Sequence, residues 1–371
     1  MIPPLNYHSP AVHQAELNSI FSTYWIFVGL KLELAGLSHS GRRVGEHELV
    51  IQLDADGNPR AFKNVCSHRS SRLCKEGVHS GAIRCPYHGW VYDRQGIPVG
   101  IPIKEAFPEV VAHPHNFKLQ EISCEFAGQF IFVRISSCGA SLKEYLGKEY
   151  DFLIKCSHSL NKIEDSFEDT VDANWKIVIE NSLEGYHVPA VHNKTFMQAD
   201  GMGKSDSAPS FVLKSPFHSS LTHSADADWV RRFGRIEKQI GEWPWRFEHY
   251  THHLIFPNLT LTSFMGYSFH VQLFQPDAVN KTKIRSQTLG VNFQGTTAIG
   301  EKMIEKIYLD GHIFTRKIFR EDGDICQEIQ AGLAQASKSP IFGIGLEDRV
   351  KHFHRTYADN FYIATNKEGN I

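Results

Sequence analysis

Two short cysteine and histidine pairs constrain this 371-residue chain more than any other feature. Cys66-Ser-His68-Arg69 is followed, with sixteen residues between His68 and Cys85, by Cys85-Pro-Tyr-His88-Gly-Trp90. Apolar runs and turn residues flank each pair, so both side chains of a pair can sit on one hairpin tip. Two thiolates with two imidazoles have two standard occupants: tetrahedral zinc, or a [2Fe-2S] cluster in which two His replace two Cys on one iron. Zinc knuckles keep roughly two to four residues between ligands. One pair here is Cys-x-His and the other Cys-x-x-His, an asymmetry that favours the cluster.

The surrounding text is strand-like. Leu49 to Leu53, the turn Asp54 to Pro59, and Arg60 to Val65 read as a hairpin, and the pattern returns at Ala82 to Tyr92 and around Phe117 to Ile135. Before it, residues 11 to 34 read as a helix leading into a strand. After Leu142 the text is mixed. An acidic segment (Glu164, Asp165, Glu168, Asp169, Asp172) is positioned to cap a helix entered at Asn174, strands are expected from 250 to 293, and helices near Glu301 to Tyr308 and again from Asp324.

Near-equal charge, 39 Lys plus Arg against 41 Asp plus Glu, gives no sign of a polyanion partner. The longest uncharged stretch, His249 to Pro276, holds four His and two Pro and does not read as a membrane span. Its Leu259, Leu261, Phe264, Phe269, Val271 and Phe274 are expected to line an apolar pocket with Asn258, Thr260, Thr262, His270 and Gln272 as polar anchors; an ordinary sheet core is the other reading. Trp229, Trp243, Trp245 and Tyr250 are candidates for an aromatic cage. The N-terminus lacks the order of a secretory signal, so a reducing cytoplasmic setting is expected, with the seven Cys as thiols or ligands.

A second constellation is Glu184-Gly-Tyr186-His187-Val-Pro189-Ala-Val-His192. On one continuous helix the two His would point about 140° apart. Pro189 is expected to end the helix, leaving His187 as its last turn and His192 folding back from the loop. Two imidazoles and a carboxylate on one face of a metal leave positions open for dioxygen and substrate. The carboxylate must come from elsewhere in the chain.

Taken together, the Cys-x-His and Cys-Pro-Tyr-His-Gly-Trp pairs resemble the Rieske cluster motif, and the His187 segment resembles the mononuclear-iron motif of Rieske non-haem iron oxygenases, of the aromatic-ring-hydroxylating α-subunit type. The resemblance assigns Cys66 and Cys85 to one cluster iron and His68 and His88 to the other. It carries over Asp322 as third ligand beside His187 and His192, with Asp324 as the fallback, and an Asp322 that merely caps a helix as the structural alternative. Asn174-Trp175-Lys176, Glu321-Asp322 and Gln330 also match. Two departures stand out: Ser67 and Ser70 occupy positions where the family often has Pro and Gly. Glu184 stands where an Asp usually bridges the iron His to a cluster His of a neighbouring subunit, and oxygenases of quaternary ammonium compounds resemble this chain in having Glu there.

The resemblance implies an α+β protein: an N-terminal segment (1–39) packing on the catalytic domain, an all-β [2Fe-2S] domain (40–140), and a catalytic domain (141–371) of antiparallel sheet plus helices, helix-grip in type. It implies a terminal oxygenase, assembled as a homotrimer, that uses O2 and electrons from a separate reductase or ferredoxin to hydroxylate a small aromatic or largely apolar molecule. Within the family the alternative is an N- or O-demethylase or quaternary-ammonium monooxygenase, and outside catalysis an electron carrier. The chain has no Gly-x-Gly-x-x-Gly fingerprint, so NAD(P)H and flavin are expected on the partner protein.

Overall fold

The Asp54–Asn58 turn sets the register of the first sheet. Asp54 Oδ1 accepts from the backbone N–H groups of Asp56 at 3.0 Å and Asn58 at 2.9 Å, folding His47–Leu53 back onto Pro59–Lys63 as an antiparallel pair. The computed structural model describes residues 1–34, 36, 38–198, 211–225 and 227–367. Within them lie two compact units, Leu17–Ile154 and Met1–Glu16 with Lys155–Ile371.

The first unit holds strands β1 (Ile26–Leu30), β2 (Ser38–Val44), β3 (His47–Leu53), β4 (Pro59–Lys63), β5 (Gly77–Ser80), β6 (Ile83–Arg84), β7 (Val91–Tyr92), β8 (Pro98–Gly100), β9 (Glu121–Ala127) and β10 (Phe130–Arg134). A seven-stranded sheet runs β1-β10-β9-β4-β3-β2-β5, and β6-β7-β8 form a small second sheet. Residues 1–39 are expected as one segment on the catalytic domain, but the structure divides them. Only Met1–Glu16 join the second unit, because Ile26–Leu30 pairs with Phe130–Arg134 and is committed to the first sheet. The apolar core of this unit includes Val50, Phe62, Ile83, Trp90 and Tyr92 and reaches Cys66 and Cys85 themselves.

Helices α1 (Pro10–Thr23), α2 (Pro108–Ala112), α3 (Leu142–Leu146) and α4 (Lys148–Ser159) precede the strands of the second sheet. These are β11 (Leu160–Val171), β12 (Phe211–Lys214), β13 (Ser219–Ser224), β14 (His249–Ile255), β15 (Leu259–Phe264), β16 (Ser268–Ala278) and β17 (Lys281–Val291), ordered β11-β17-β16-β15-β14-β13-β12 and antiparallel throughout. Helices α5 (Trp175–Ser182), α6 (Val188–Val191), α7 (Ala227–Ile240), α8 (Ala298–Leu333) and α9 (Asp348–Lys367) complete the unit, with α8 packed on α5, α7 and β11. The fold is α+β.

Two expectations are corrected. The acidic segment before Asn174 is an edge strand, β11, rather than a helix cap; its charges pair sideways, Asp165 with Arg316 at 2.6 Å and Glu168 with Arg285 at 2.8 Å, and charge along an edge discourages pairing with foreign strands. The two helices expected near 301 and 324 are one 36-residue helix with Thr297 as its N-cap, so Asp322 is mid-helix and caps nothing. No described helix is long and apolar enough to cross a membrane; the uncharged run 249–276 is strand and turn.

Candidate functional site

The cluster pairs sit on two loops of like construction. Cys66 N–H donates to Ser71 O (2.8 Å) while Cys66 O accepts from Ser70 N–H (3.0 Å); Cys85 N–H donates to Trp90 O (2.8 Å) while Cys85 O accepts from Gly89 N–H (3.0 Å). Both loops close through a left-handed residue, Gly89 at φ +72° and Ser70 at φ +55°. At Ser70 the serine accepts a conformation that glycine takes more freely, at a cost of about 1 kcal/mol. Ser67 replaces the family's Pro with hydrogen bonds: its N–H and Oγ lie 3.0 Å and 2.9 Å from the Tyr92 hydroxyl, which is 3.1 Å from Cys66 Sγ.

The two histidines turn toward the same place. Their rings lie 4.6 Å apart, His68 stacks on Trp90, and Nδ1 of both His68 and His88 is buried with no hydrogen-bond partner among the described residues. Buried polar atoms are ordinarily satisfied. Two orphaned imidazole nitrogens and two buried thiols on paired loops fit the donor set of a two-Cys, two-His cluster. Burial would raise the Cys85 thiol, but the N–H groups of His88 and Tyr87 outweigh it and lower its pKa, favouring the thiolate; at Cys66 burial prevails and raises it.

The second set is built around the end of α5. Asn174 caps this helix, its side chain accepting from Lys176 N–H at 3.1 Å, and the helix stops at Ser182. Pro189 does not end the helix that bears His187, as expected from sequence. It lies in the first turn of the separate one-turn helix α6, where its missing N–H is no loss. His187 and His192 flank α6 at its two ends. Glu184 lies in the connection, accepts from His187 N–H (3.1 Å) and Tyr186 N–H, and holds His187 Nδ1 with its other oxygen.

Asp322 reaches the two histidines from α8. Its Oδ1 is 3.0 Å from His192 Nε2, 3.6 Å from His187 Nε2, and accepts from Asn181 Nδ2 at 2.8 Å. One donor atom from each of His187, His192 and Asp322 lies within 4.8 Å of the others, a spacing one metal ion can span. Asp324, two residues on, is exposed and belongs to another face of the helix. Burial would raise Asp322 and lower His187, but the close approach of the two, with His192 and Asn181 adding at Asp322 and Glu184 at His187, wins. Asp322 is brought down to about 2 and His187 up to about 9.

Sequence reasoning missed Glu321 as more than a neighbour of Asp322. Its Oε2 lies 2.7 Å from His192 Nδ1 and 2.6 Å from Thr195 Oγ1. Also missed was Glu16, which accepts from Lys176 Nζ (2.6 Å), Trp175 Nε1 (2.8 Å) and the Tyr357 hydroxyl (2.6 Å), fully buried with Lys176 behind α5.

A cavity of about 320 Å³ opens beside the donor set. On one side Phe196, Phe314, Ile318 and Phe319 line it; on the other, Leu221, His223, Tyr250, His252, Thr262, His270 and Gln272 from the sheet. The apolar pocket read from 249–276 is therefore reversed. None of Leu259, Leu261, Phe264, Phe269, Val271 or Phe274 lines the cavity, whereas Thr262, His270 and Gln272 do. Alternation turns Leu259 and Leu261 away from the face of Thr262, and Phe269 and Val271 away from that of His270 and Gln272; Phe264 and Phe274 share the cavity-side parity but, like Asn258 and Thr260, are not part of its lining. Of the aromatic cage candidates only Tyr250 lines the cavity. Trp243 packs on Phe233, Tyr267 and Phe293, Trp245 on Phe247 and Phe269, and the side chain of Trp229 lies outside the described residues.

The family model of the ring hydroxylating alpha subunit (catalytic domain) matches residues 141–362. The chain belongs to the ring-hydroxylating α-subunit family. The Rieske [2Fe-2S] domain matches residues 24–114, so this Rieske α subunit carries a cluster domain followed by a mononuclear-iron catalytic domain. It is 31% identical over 197 residues to the glycine betaine monooxygenase oxygenase subunit of Chromohalobacter salexigens, across 52% of this chain and 43% of that protein, so the match spans less than half of that relative. It is 25% identical over 368 residues to the chloroplastic choline monooxygenase of Amaranthus tricolor, across 95% of this chain and 76% of that protein. The structure of a quaternary ammonium Rieske monooxygenase, CntA, superposes with a TM-score of 0.76 at 20% identity over 97% of this chain and 95% of that one, a likeness of fold.

Proposed function

We propose that this Rieske α subunit is the terminal oxygenase of an electron-fed system and oxidises a small N-methylated ammonium or amine. In this reading His187, His192 and Asp322 hold a mononuclear Fe(II), and Cys66, His68, Cys85 and His88 hold the [2Fe-2S] cluster. The observation that carries it is the cavity wall. Phe196, Tyr250, Phe314 and Phe319 line the same cavity as the donor set, and no Lys or Arg does among the described residues. Aromatic faces attract a methylated ammonium group, and a cavity without fixed cations does not oppose it. The glycine betaine and choline named in two relatives are quaternary ammonium compounds, and Glu184 in place of the usual Asp agrees with them.

When bound, the cluster supplies single electrons and the iron activates dioxygen. The chain's own residues prepare the place. Glu184 and Glu321 accept from Nδ1–H of His187 and His192, which fixes the tautomer and turns both Nε2 lone pairs inward. Asn181 donates to Asp322 Oδ1 and holds that carboxylate toward the two rings. Phe196, Phe314 and Phe319 present apolar rings to the substrate side. Overall, a C–H bond, O2, two electrons and two protons become C–OH and water. A hydroxylated N-methyl group then breaks its C–N bond and leaves as formaldehyde.

Electrons come from a separate reductase or ferredoxin, and the working assembly is a homotrimer in which Glu184 links His187 to His88 of the partner subunit. Hydroxylation of an aromatic hydrocarbon is less favoured, because such a molecule leaves the polar sheet wall without partners. The test is turnover of the iron-loaded protein with a surrogate reductase, scored for oxygen uptake and formaldehyde over glycine betaine, N,N-dimethylaniline and naphthalene. Formaldehyde formed in step with oxygen from an N-methylated compound is expected. Ring diols from naphthalene with no formaldehyde from the others overturn the proposal.

A further inference from the structure

One side chain of the polar sheet wall has its hydrogen-bonding sense fixed from behind. His252 on β14 is 6% exposed, and its Nδ1 lies 3.1 Å from Nη2 of Arg349. A guanidinium only donates, so Nδ1 accepts and the neutral ring carries its proton on Nε2. Arg349 is itself held, with Nε 3.2 Å from Ser219 Oγ and Nη2 3.1 Å from Ser219 O, and is 2% exposed. Burial first, and then the charge of Arg349, keep the His252 pKa well below the ordinary histidine range, so the ring stays neutral.

The ring lines the cavity between Leu221 and Thr262, its register partners on β13 and β15. Its Nε2 has no protein partner among the described residues. A cation hydrogen-bonded to one ring nitrogen polarises the ring and strengthens the donor at the other. An ammonium group is repelled from this point, and an apolar group leaves the N–H desolvated without a partner.

We infer that His252 is a specificity-determining residue whose Nε2–H selects substrates carrying a carboxylate or carbonyl oxygen at the sheet wall, away from the end that faces His187, His192 and Asp322. The identity of the reacting end as an N-methyl group rests on the reading above; the acceptor requirement does not. A zwitterion of this kind is sorted by its two ends, the anionic one toward β14 and the cationic one toward Phe196, Phe314 and Phe319.

Calorimetric titration of the oxidised holoenzyme with glycine betaine and with tetramethylammonium tests the acceptor directly. The betaine is expected to bind about 10- to 100-fold tighter, the range of a charge-assisted hydrogen bond in a closed site. His252→Phe should bring the two probes to within about threefold of each other, while His252→Gln, which keeps an N–H donor, retains part of the difference. Unchanged Co(II) affinity at His187, His192 and Asp322, which lie in the same unit as His252, shows that both variants fold. Equal binding of the two probes by the parent protein, or a difference that survives His252→Phe, overturns the inference. Benzoate against toluene separates it from the N-methyl reading. A His252-dependent preference for benzoate with no binding of either methylammonium probe sinks that reading and leaves His252 standing; no preference within either pair sinks His252.

Discussion

Glu321 Oε2 sits 2.7 Å behind His192 at Nδ1, as Glu184 sits behind His187. Two consecutive residues of α8 therefore serve one imidazole from opposite sides, Asp322 facing Nε2 and Glu321 facing Nδ1. A carboxylate behind a ligand histidine fixes its tautomer and raises its basicity.

Removing that support should weaken the metal site without unfolding it. Glu321→Gln is expected to lower iron affinity roughly 10-fold and Glu321→Ala up to about 100-fold. Competition with a chelator measures this, and the cluster spectrum serves as the control. Unchanged affinity in both variants would show that Glu321 supports nothing.

Protons and metal compete at His187. Its metal-free pKa is raised to about 9, above the ~6.5 of an unfolded histidine. The raised value contributes stability that is complete below about 6.5 and is lost as pH rises through about 9. Metal must displace this proton, so apparent affinity should climb by about tenfold per pH unit from 6.5 toward 9 and then level off. Co(II) titrations at three pH values read the slope, and a flat profile contradicts it.

The Tyr92 hydroxyl, 3.1 Å from Cys66 Sγ, donates to the sulfur once it is a ligand thiolate, while Ser67 donates to the hydroxyl oxygen. Hydrogen bonds to cluster sulfurs raise the potential. Tyr92→Phe should lower it by on the order of tens of millivolts, read by redox titration of the visible spectrum; an upward shift is the contrary result.

Behind α5, Lys176 and Glu16 form a fully buried pair. Breaking one partner strands the other charge, so Lys176→Met should cost roughly 3–5 kcal/mol in denaturant unfolding. The double change with Glu16→Gln should recover much of that loss, and additive losses would mean that the two residues act independently.

The residues close in sequence were the legible ones. The Cys66, His68, Cys85 and His88 loops and the His187–His192 segment declare themselves because short spacings limit what their side chains can reach together. Asp322 was reachable only through the family pattern, since no local signal ties a residue of α8 to the end of α5. Glu321, Glu16 and Arg349 act through partners 97 to 341 positions away, and nothing in their own neighbourhoods marks them. Pro189 misled because a proline fits the first turn of a helix as well as the end of one. The strands from 249 to 276 were found, but alternation alone does not say which face takes the cavity.

The proposed metal donors come from α8 and the two ends of α6, whereas the polar wall comes from β13 to β16. Substitutions on the strands can therefore retune which molecules are admitted while the oxygen-activating apparatus stays intact. Chemistry and choice of substrate can drift separately in this architecture, and a laboratory seeking new substrates has the strands to vary first.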